Sequence, residues 1–179
     1  MIKFIKNLGL LPSFLLLFLQ IGCAQIPTNR PKMTNPAFDR KLQQLLRFSV
    51  PLIGVQELWN IQNEVSIFDT RMQEEFAVSH IPGAKYLGYE DFNENRLKGI
   101  SKDAKIVLYC SVGYRSEKIG EKLTKLGYTN VYNLYGSIFE WANQGYPLVD
   151  AQGKPIKKIH TYNKAWSKWV QADAAKKVW

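Results

Sequence analysis

Disulfides are the first thing this sequence has little means to build: its 179 residues hold two cysteines, Cys23 and Cys110. If Cys23 is removed or modified, Cys110 has no partner in the chain and is either a buried hydrophobe or a reactive thiol. Acidic residues are also scarce, 15 against 24 lysines and arginines, which gives a formal net charge of +9. The lysines are scattered, however, and often sit beside acids, as in Glu117-Lys118 and Glu121-Lys122; a basic cluster appears only past residue 150. That distribution describes a solvated face, and nucleic acid is not expected as a partner. Internal repeats and low-complexity tracts are absent. No uninterrupted apolar run reaches the ~20 residues that a membrane-spanning helix needs. With 46% hydrophobic and 22% charged residues, the composition excludes a disordered chain and suits one globular domain with additions at its ends.

The N-terminal end has the layout of a secretory signal. Lys3 and Lys6 precede an apolar stretch over residues 8–21, interrupted by Gly9, Pro12 and Ser13, and small residues follow at Gly22-Cys23-Ala24. The Gly22-Cys23 junction resembles the lipobox of bacterial lipoproteins, in which the cysteine becomes the acylated first residue; Gln20 departs from the aliphatic residue preferred there. The expectation is an exported protein, periplasmic or tethered to a membrane through lipidated Cys23, because several acyl chains anchor firmly. Residues 1–22 are read as the signal peptide and residues 23–36, with Pro27, Pro31 and Pro36, as a tether. The domain proper is assigned to residues 37–150 and a C-terminal extension to residues 151–179.

Within the domain, helical spacing over residues 37–48 and 55–63 is followed by short apolar segments at residues 65–68, 84–87 and 105–109. Residues 105–109, Lys-Ile-Val-Leu-Tyr, are the best candidate for a central strand buried on both faces. An amphipathic helix is predicted over residues 115–126, closed by Gly127. A strand at residues 131–134 and a helix at residues 137–143 complete the pattern. Strands alternating with helices predict an α/β fold, a parallel sheet flanked by helices on both faces. In the extension, Tyr162, Trp166, Trp169 and Val170 follow helical spacing, which predicts a C-terminal amphipathic helix whose tryptophans pack on the domain.

The segment with chemical content is Tyr109-Cys110-Ser111-Val112-Gly113-Tyr114-Arg115-Ser116. A cysteine placed directly after a buried strand and before a helix sits at the carboxyl edge of the sheet, where α/β proteins bind ligands. Loop amides can point inward as an anion-holding nest, and the helix N-terminus adds about half a positive charge. Both favour thiolate over thiol, so Cys110 is expected to be more acidic than a free cysteine. Gly113 supplies the backbone freedom of a tight loop, and Arg115 adds a permanent cation, either to hold the loop or to attract an anionic sulfur donor.

At these residues the chain resembles the single-domain rhodaneses, sulfurtransferases of the thiosulfate sulfurtransferase class. Cys110, Gly113, Arg115 and Ser116 fill the family's Cys-x-x-Gly-x-Arg-Ser active loop. Asp69-Thr70-Arg71, Glu74-Glu75-Phe76 and His80-Ile81-Pro82-Gly83-Ala84 are similar to its first signature. Residues 133–137 (Asn-Leu-Tyr-Gly-Ser), Trp141 and Gly145-Tyr146-Pro147 are similar to its closing one, with Ser137 in place of the usual second glycine. The resemblance implies a rhodanese-like fold and a mechanism in which the Cys110 thiolate takes the outer sulfur of a donor such as thiosulfate. The resulting persulfide is cradled by residues 111–116, namely Ser111, Val112, Gly113, Tyr114, Arg115 and Ser116. A thiol or cyanide then removes the sulfur. No metal and no cofactor is implied, and no general base is needed. His80, beside Ile81-Pro82-Gly83, is read as fixing a turn, and Asp69 and Arg71 as structural support for the loops.

Two rivals are weighed against this reading. Cysteine phosphatases and arsenate reductases also end a cysteine loop in arginine, but with five residues between the two; here four intervene, a ring that suits one sulfur atom better than a tetrahedral oxyanion. A non-catalytic rhodanese-like module, acting as sulfur carrier, redox sensor or partner-binding domain, shares the same fold, and fold alone does not prove activity. No protein partner is indicated.

Overall fold

The structure, a computed structural model, describes residues 26–179. The signal peptide, the Cys23 lipidation site and the first part of the tether predicted above lie outside the described residues. Among the described residues no helix is long and apolar enough to cross a membrane.

Among the described residues the first element is α1 (Pro36–Leu45), whose N-cap Asn35 accepts hydrogen bonds from the backbone N–H of Ala37 and Phe38. There follow β1 (Leu52–Ile53), α2 (Val55–Ile61), β2 (Ser66–Asp69), α3 (Gln73–Val78) and β3 (Lys85–Tyr86). Next come β4 (Ile106–Tyr109), α4 (Tyr114–Lys125), β5 (Val131–Leu134) and α5 (Ser137–Asn143). Five strands form one sheet in the order β1-β5-β4-β2-β3, parallel throughout. The elements follow the predicted α/β pattern with ends shifted by a few residues, and β1 and the short α3 are additions that the sequence reading did not include.

Strand β4 lies at the centre and all four of its residues are buried. Its side chains alternate between two cores, as the period of a pleated strand demands. Val107 and Tyr109 face the cluster built by α1, α2 and α5, with Phe38, Leu42, Leu58, Phe139 and Trp141. Ile106 and Leu108 face the other side with Phe68, Leu87, Ile119 and Leu123. Helices thus cover both faces, and the apolar run that marked residues 105–109 is the signature of a doubly covered strand.

Helix α4 packs so closely that a Cβ on Gly120 would lie 2.7 Å from Val50 Cγ2. Gly120→Ala is therefore expected to destabilise by about 1–3 kcal/mol through overpacking, although alanine is the better helix former. A lowered urea midpoint at unchanged slope checks it.

The C-terminal extension corrects the sequence reading, for it is not an amphipathic α-helix. It forms β6 (Lys158–His160), a single 3-10 turn (Ser167–Trp169) and β7 (Lys176–Val178), with β6 and β7 paired in parallel. The apolar spacing was real, but Tyr162 adopts φ +65°, outside the right-handed helix region, so no helix can propagate through it. The side chain of Asn163 instead caps the backbone N–H of Trp166 at 3.1 Å. Ile159, Val170 and Ala175 join the α1/α5 core, and Trp169 stacks on Phe38 with ring centroids 5.2 Å apart.

Candidate active site

Cys110 follows β4 directly, one residue beyond the buried Tyr109, and is itself only 1% exposed. The loop from Cys110 ends at Gly113, where φ is +110°, and α4 starts at the next residue. This turn folds the chain back so that the backbone N–H of Gly113 donates to Cys110 Sγ at 3.1 Å. Burial raises the affinity of the thiol for its proton. The Arg115 charge and the amides of Ser116, Val112 and Gly113 overcome it, leaving Cys110 more acidic than an ordinary thiol. The positive end of α4, 12 residues long, points the same way.

Each loop residue has a definite place. Ser111 Oγ donates to Glu75 Oε1 and accepts from Arg115 Nη2, at 3.1 and 3.0 Å. Val112 is buried in the α1/α5 core, whereas Tyr114 stands 41% exposed at the mouth of the loop. Ser116 Oγ donates to Asn133 Oδ1 at 2.7 Å, and Asn133 Nδ2 donates to the Gly113 carbonyl at 2.9 Å. The neighbouring strand β5 therefore ties the end of the loop to the first turn of α4 through one buried side chain. A side chain at φ +110° is strained even though space exists around it. Gly113→Ala should thus cost about 1–3 kcal/mol and lower activity more than stability, read from melting temperature and turnover of the same preparation.

Arg115 holds the loop through an ion pair with Glu75. Its Nη1 and Nη2 donate to the two carboxylate oxygens of Glu75 at 2.6 and 2.9 Å. Glu75 comes from α3, is 1% exposed, and also accepts from the backbone N–H of Met72 at 3.0 Å. Burial alone would raise the Glu75 pKa. The Arg115 hydrogen bonds and charge, with Arg71 behind, pull it below the ordinary carboxylate value. A depressed folded-state pKa contributes stability above the unfolded value near 4.3 and loses it as pH falls through the folded one. Stability is therefore expected to drop as the pH is lowered below about 4, and Glu75→Gln should flatten that acid limb of the profile.

Asp69 and Arg71 form a fully buried ion pair of 2.6 Å, and Arg71 also donates to the Ser79 carbonyl at 2.6 Å, tying β2 to the end of α3. His80 lies beyond that pair: its backbone exchanges hydrogen bonds with Val149, and its ring stacks on Phe76 at 4.0 Å. Its Nδ1 is 3.1 Å from the Phe76 carbonyl, which places the imidazole at the turn. Ser137, which replaces a glycine of the family pattern, adopts φ +53°. Its hydroxyl accepts from the Cys110 backbone N–H at 3.2 Å and donates to the Leu134 carbonyl at 3.2 Å, local bonds that let a small polar residue occupy this conformation.

Four participants were not singled out as site residues from the sequence. Glu75 lies within the quoted Glu74-Glu75-Phe76 signature, but only the phase of α3 shows which of the two acids turns inward. Asn133 carries a weak signal, a polar residue in an apolar strand. Tyr162 and Trp166 were read as core residues of a helix. The structure sets them in the wall of the pocket that opens above Cys110, a cavity of about 250 Å³.

Comparison with known proteins agrees with this fold. The rhodanese-like domain profile matches residues 54–144, half of the chain. The chain belongs to the rhodanese-like family. Among its relatives is a sulfurtransferase of Allochromatium vinosum, 37% identical over 90 residues that make up 50% of this chain and 83% of that protein. A tRNA uridine(34) hydroxylase of Pectobacterium carotovorum is 33% identical over 96 residues; there the match covers 51% of this chain but only 26% of the relative. The crystal structure of a thiosulfate sulfurtransferase from Pseudomonas aeruginosa aligns with a TM-score of 0.53 at 19% identity, covering 57% of this chain and 21% of that one. At that identity the likeness is one of fold. All of α1 and the C-terminal extension of this rhodanese-like chain fall outside the matched residues.

Proposed function

We propose that this protein is a sulfurtransferase that carries a sulfane sulfur on Cys110 as a persulfide. The observation that carries the reading is the Cys110 thiol itself: buried at the floor of a pocket, hydrogen-bonded by the Gly113 amide, and biased toward thiolate by Arg115 and the loop amides. In the first half-reaction the Cys110 thiolate attacks the outer sulfur of a donor such as thiosulfate. The donor S–S bond breaks, and sulfite leaves with the bonding electron pair. The terminal sulfur of the persulfide then bears the negative charge, facing the same amides that held the thiolate. In the second half-reaction a nucleophile such as cyanide, or a thiolate, attacks that sulfur, and Cys110 departs as thiolate. No proton moves in the cyanide reaction, so neither half needs a general base.

The loop length supports sulfur over phosphate, because four residues between Cys110 and Arg115 leave the guanidinium turned onto Glu75. The basic, apolar and small-residue order of residues 1–24 supports export, with attachment through Cys23. Intact mass spectrometry after incubation with saturating thiosulfate tests the function. One added sulfur atom per chain, located at Cys110 and removed by cyanide, is the expected result; a chain that never gains sulfur refutes the reading.

A further inference from the structure

The pocket above Cys110 is built partly by chain that the family match does not include. Leu45 at the end of α1, and Tyr162 and Trp166 from the extension, line it together with Met72 and Val112. These walls are apolar and aromatic, and at about 250 Å³ the space falls below the range of about 300–1,000 Å³ usual for drug-sized ligands. It suits a single ring or a short hydrocarbon arm.

Its charges do not suit a small dianion. The charged residues lining the pocket are Arg115 and Glu90. Arg115 spends three of its five N–H donors on Glu75 and Ser111. The Tyr162 ring also covers its guanidinium, with the Arg115 carbon 5.3 Å from the ring centroid. Arg71, the next cation behind, is spent on Asp69. Counting Glu75 behind Arg115 and Glu90 at the rim, the side-chain charge beside the pocket is net negative, so the anion-favouring groups are the loop amides next to Sγ and not a free side-chain cation.

The placement of Tyr162 is enforced. Its left-handed backbone, φ +65°, is uncommon for a bulky residue, and its N–H donates to His160 Nδ1 at 3.1 Å. The β6–β7 pairing on one side and Trp169 stacked on Phe38 on the other anchor the segment that carries it.

We propose that the C-terminal extension is a specificity element that makes the Cys110 pocket select sulfane-sulfur donors with an apolar, ring-sized organic body over small inorganic dianions. This rests on the sulfurtransferase reading and names its substrate class. The loading step is unchanged: Cys110 thiolate attacks the outer sulfur of an organic thiosulfonate, the S–S bond breaks, and the organic sulfinate leaves with the electron pair while its body sits against Trp166 and Tyr162.

The test compares benzenethiosulfonate with thiosulfate on the full chain, each with cyanide as acceptor and with loading of Cys110 read by intact mass. The expected kcat/KM favours the aryl donor by about tenfold or more, within the range that apolar contacts give. Trp166→Ala and Tyr162→Ala should each lower that ratio about fivefold, mainly through KM for the aryl donor. Tyr162 is 54% exposed, so its variant tests the idea even if Trp166→Ala fails to fold. Equal or better use of thiosulfate, or variants that leave the ratio unmoved, overturns the selectivity while leaving sulfur transfer standing. Loading by neither donor overturns both.

Discussion

Cys110→Ser is expected to abolish thiocyanate formation from a sulfane-sulfur donor and cyanide, a loss of about 10³-fold or more of the size that follows removal of a covalent nucleophile. Serine keeps the shape of the side chain, and its Oγ can accept the Gly113 N–H that Sγ accepts at 3.1 Å. The turn should survive, with a small change in melting temperature. What is lost is the thiolate: a hydroxyl is not ionised near neutral pH and forms no persulfide. A folded, inactive variant that gains no sulfur from a donor is the expected result. Residual turnover within about tenfold of the wild type would place the sulfur elsewhere.

The second large effect concerns stability. Asp69 and Arg71 are both wholly buried, and Arg71 Nη1 already lacks a hydrogen-bond partner. Burial works against the Arg71 charge, and Asp69 more than restores it. Asp69→Ala removes three hydrogen bonds to the guanidinium and leaves a buried cation unpaired. The expected cost is about 3–5 kcal/mol, a large share of the 5–15 kcal/mol typical of a domain. A fall in the urea midpoint of that size, or failure to fold at 37 °C, checks it. The double variant Asp69→Ala with Arg71→Met should recover much of the loss, because no charge then remains to be desolvated. If the double variant is no better than the single one, the pair acts through something other than charge compensation.

Much of the fold was legible because its signals are local. The run Ile106-Val107-Leu108-Tyr109 is buried on both faces, so it had to read as a short continuous apolar segment. Cys110, Gly113 and Arg115 lie within six residues of one another, and the turn that brings them together is the turn they encode. The Glu75–Arg115 pair was not legible as a pair, since 40 residues separate the partners and only the docking of α3 against the loop joins them.

The extension misled for a physical reason. Tyr162, Trp166 and Trp169 have helical spacing, but the pairing of Lys158–His160 with Lys176–Val178 and the left-handed Tyr162 outweigh a propensity that is weak in a short segment. The aromatic side chains were read as packing, and that holds for Trp169 on Phe38. It holds for Trp166 too, which packs against the same core while bordering the Cys110 pocket, whereas Tyr162 is exposed at the pocket's edge. Spacing along a chain reports a face of an element and not what lies opposite it.

The central claim is that this loop makes Cys110 a more acidic thiol than a free cysteine. It is tested most directly by following alkylation of Cys110 by iodoacetamide, read at its own peptide by mass spectrometry, across pH. The rate is expected to rise through a midpoint clearly below the free-cysteine value of about 8.5 and to stay flat above it. In Arg115→Met the midpoint should move upward. A midpoint at or above 8.5 in the unaltered chain would contradict the account.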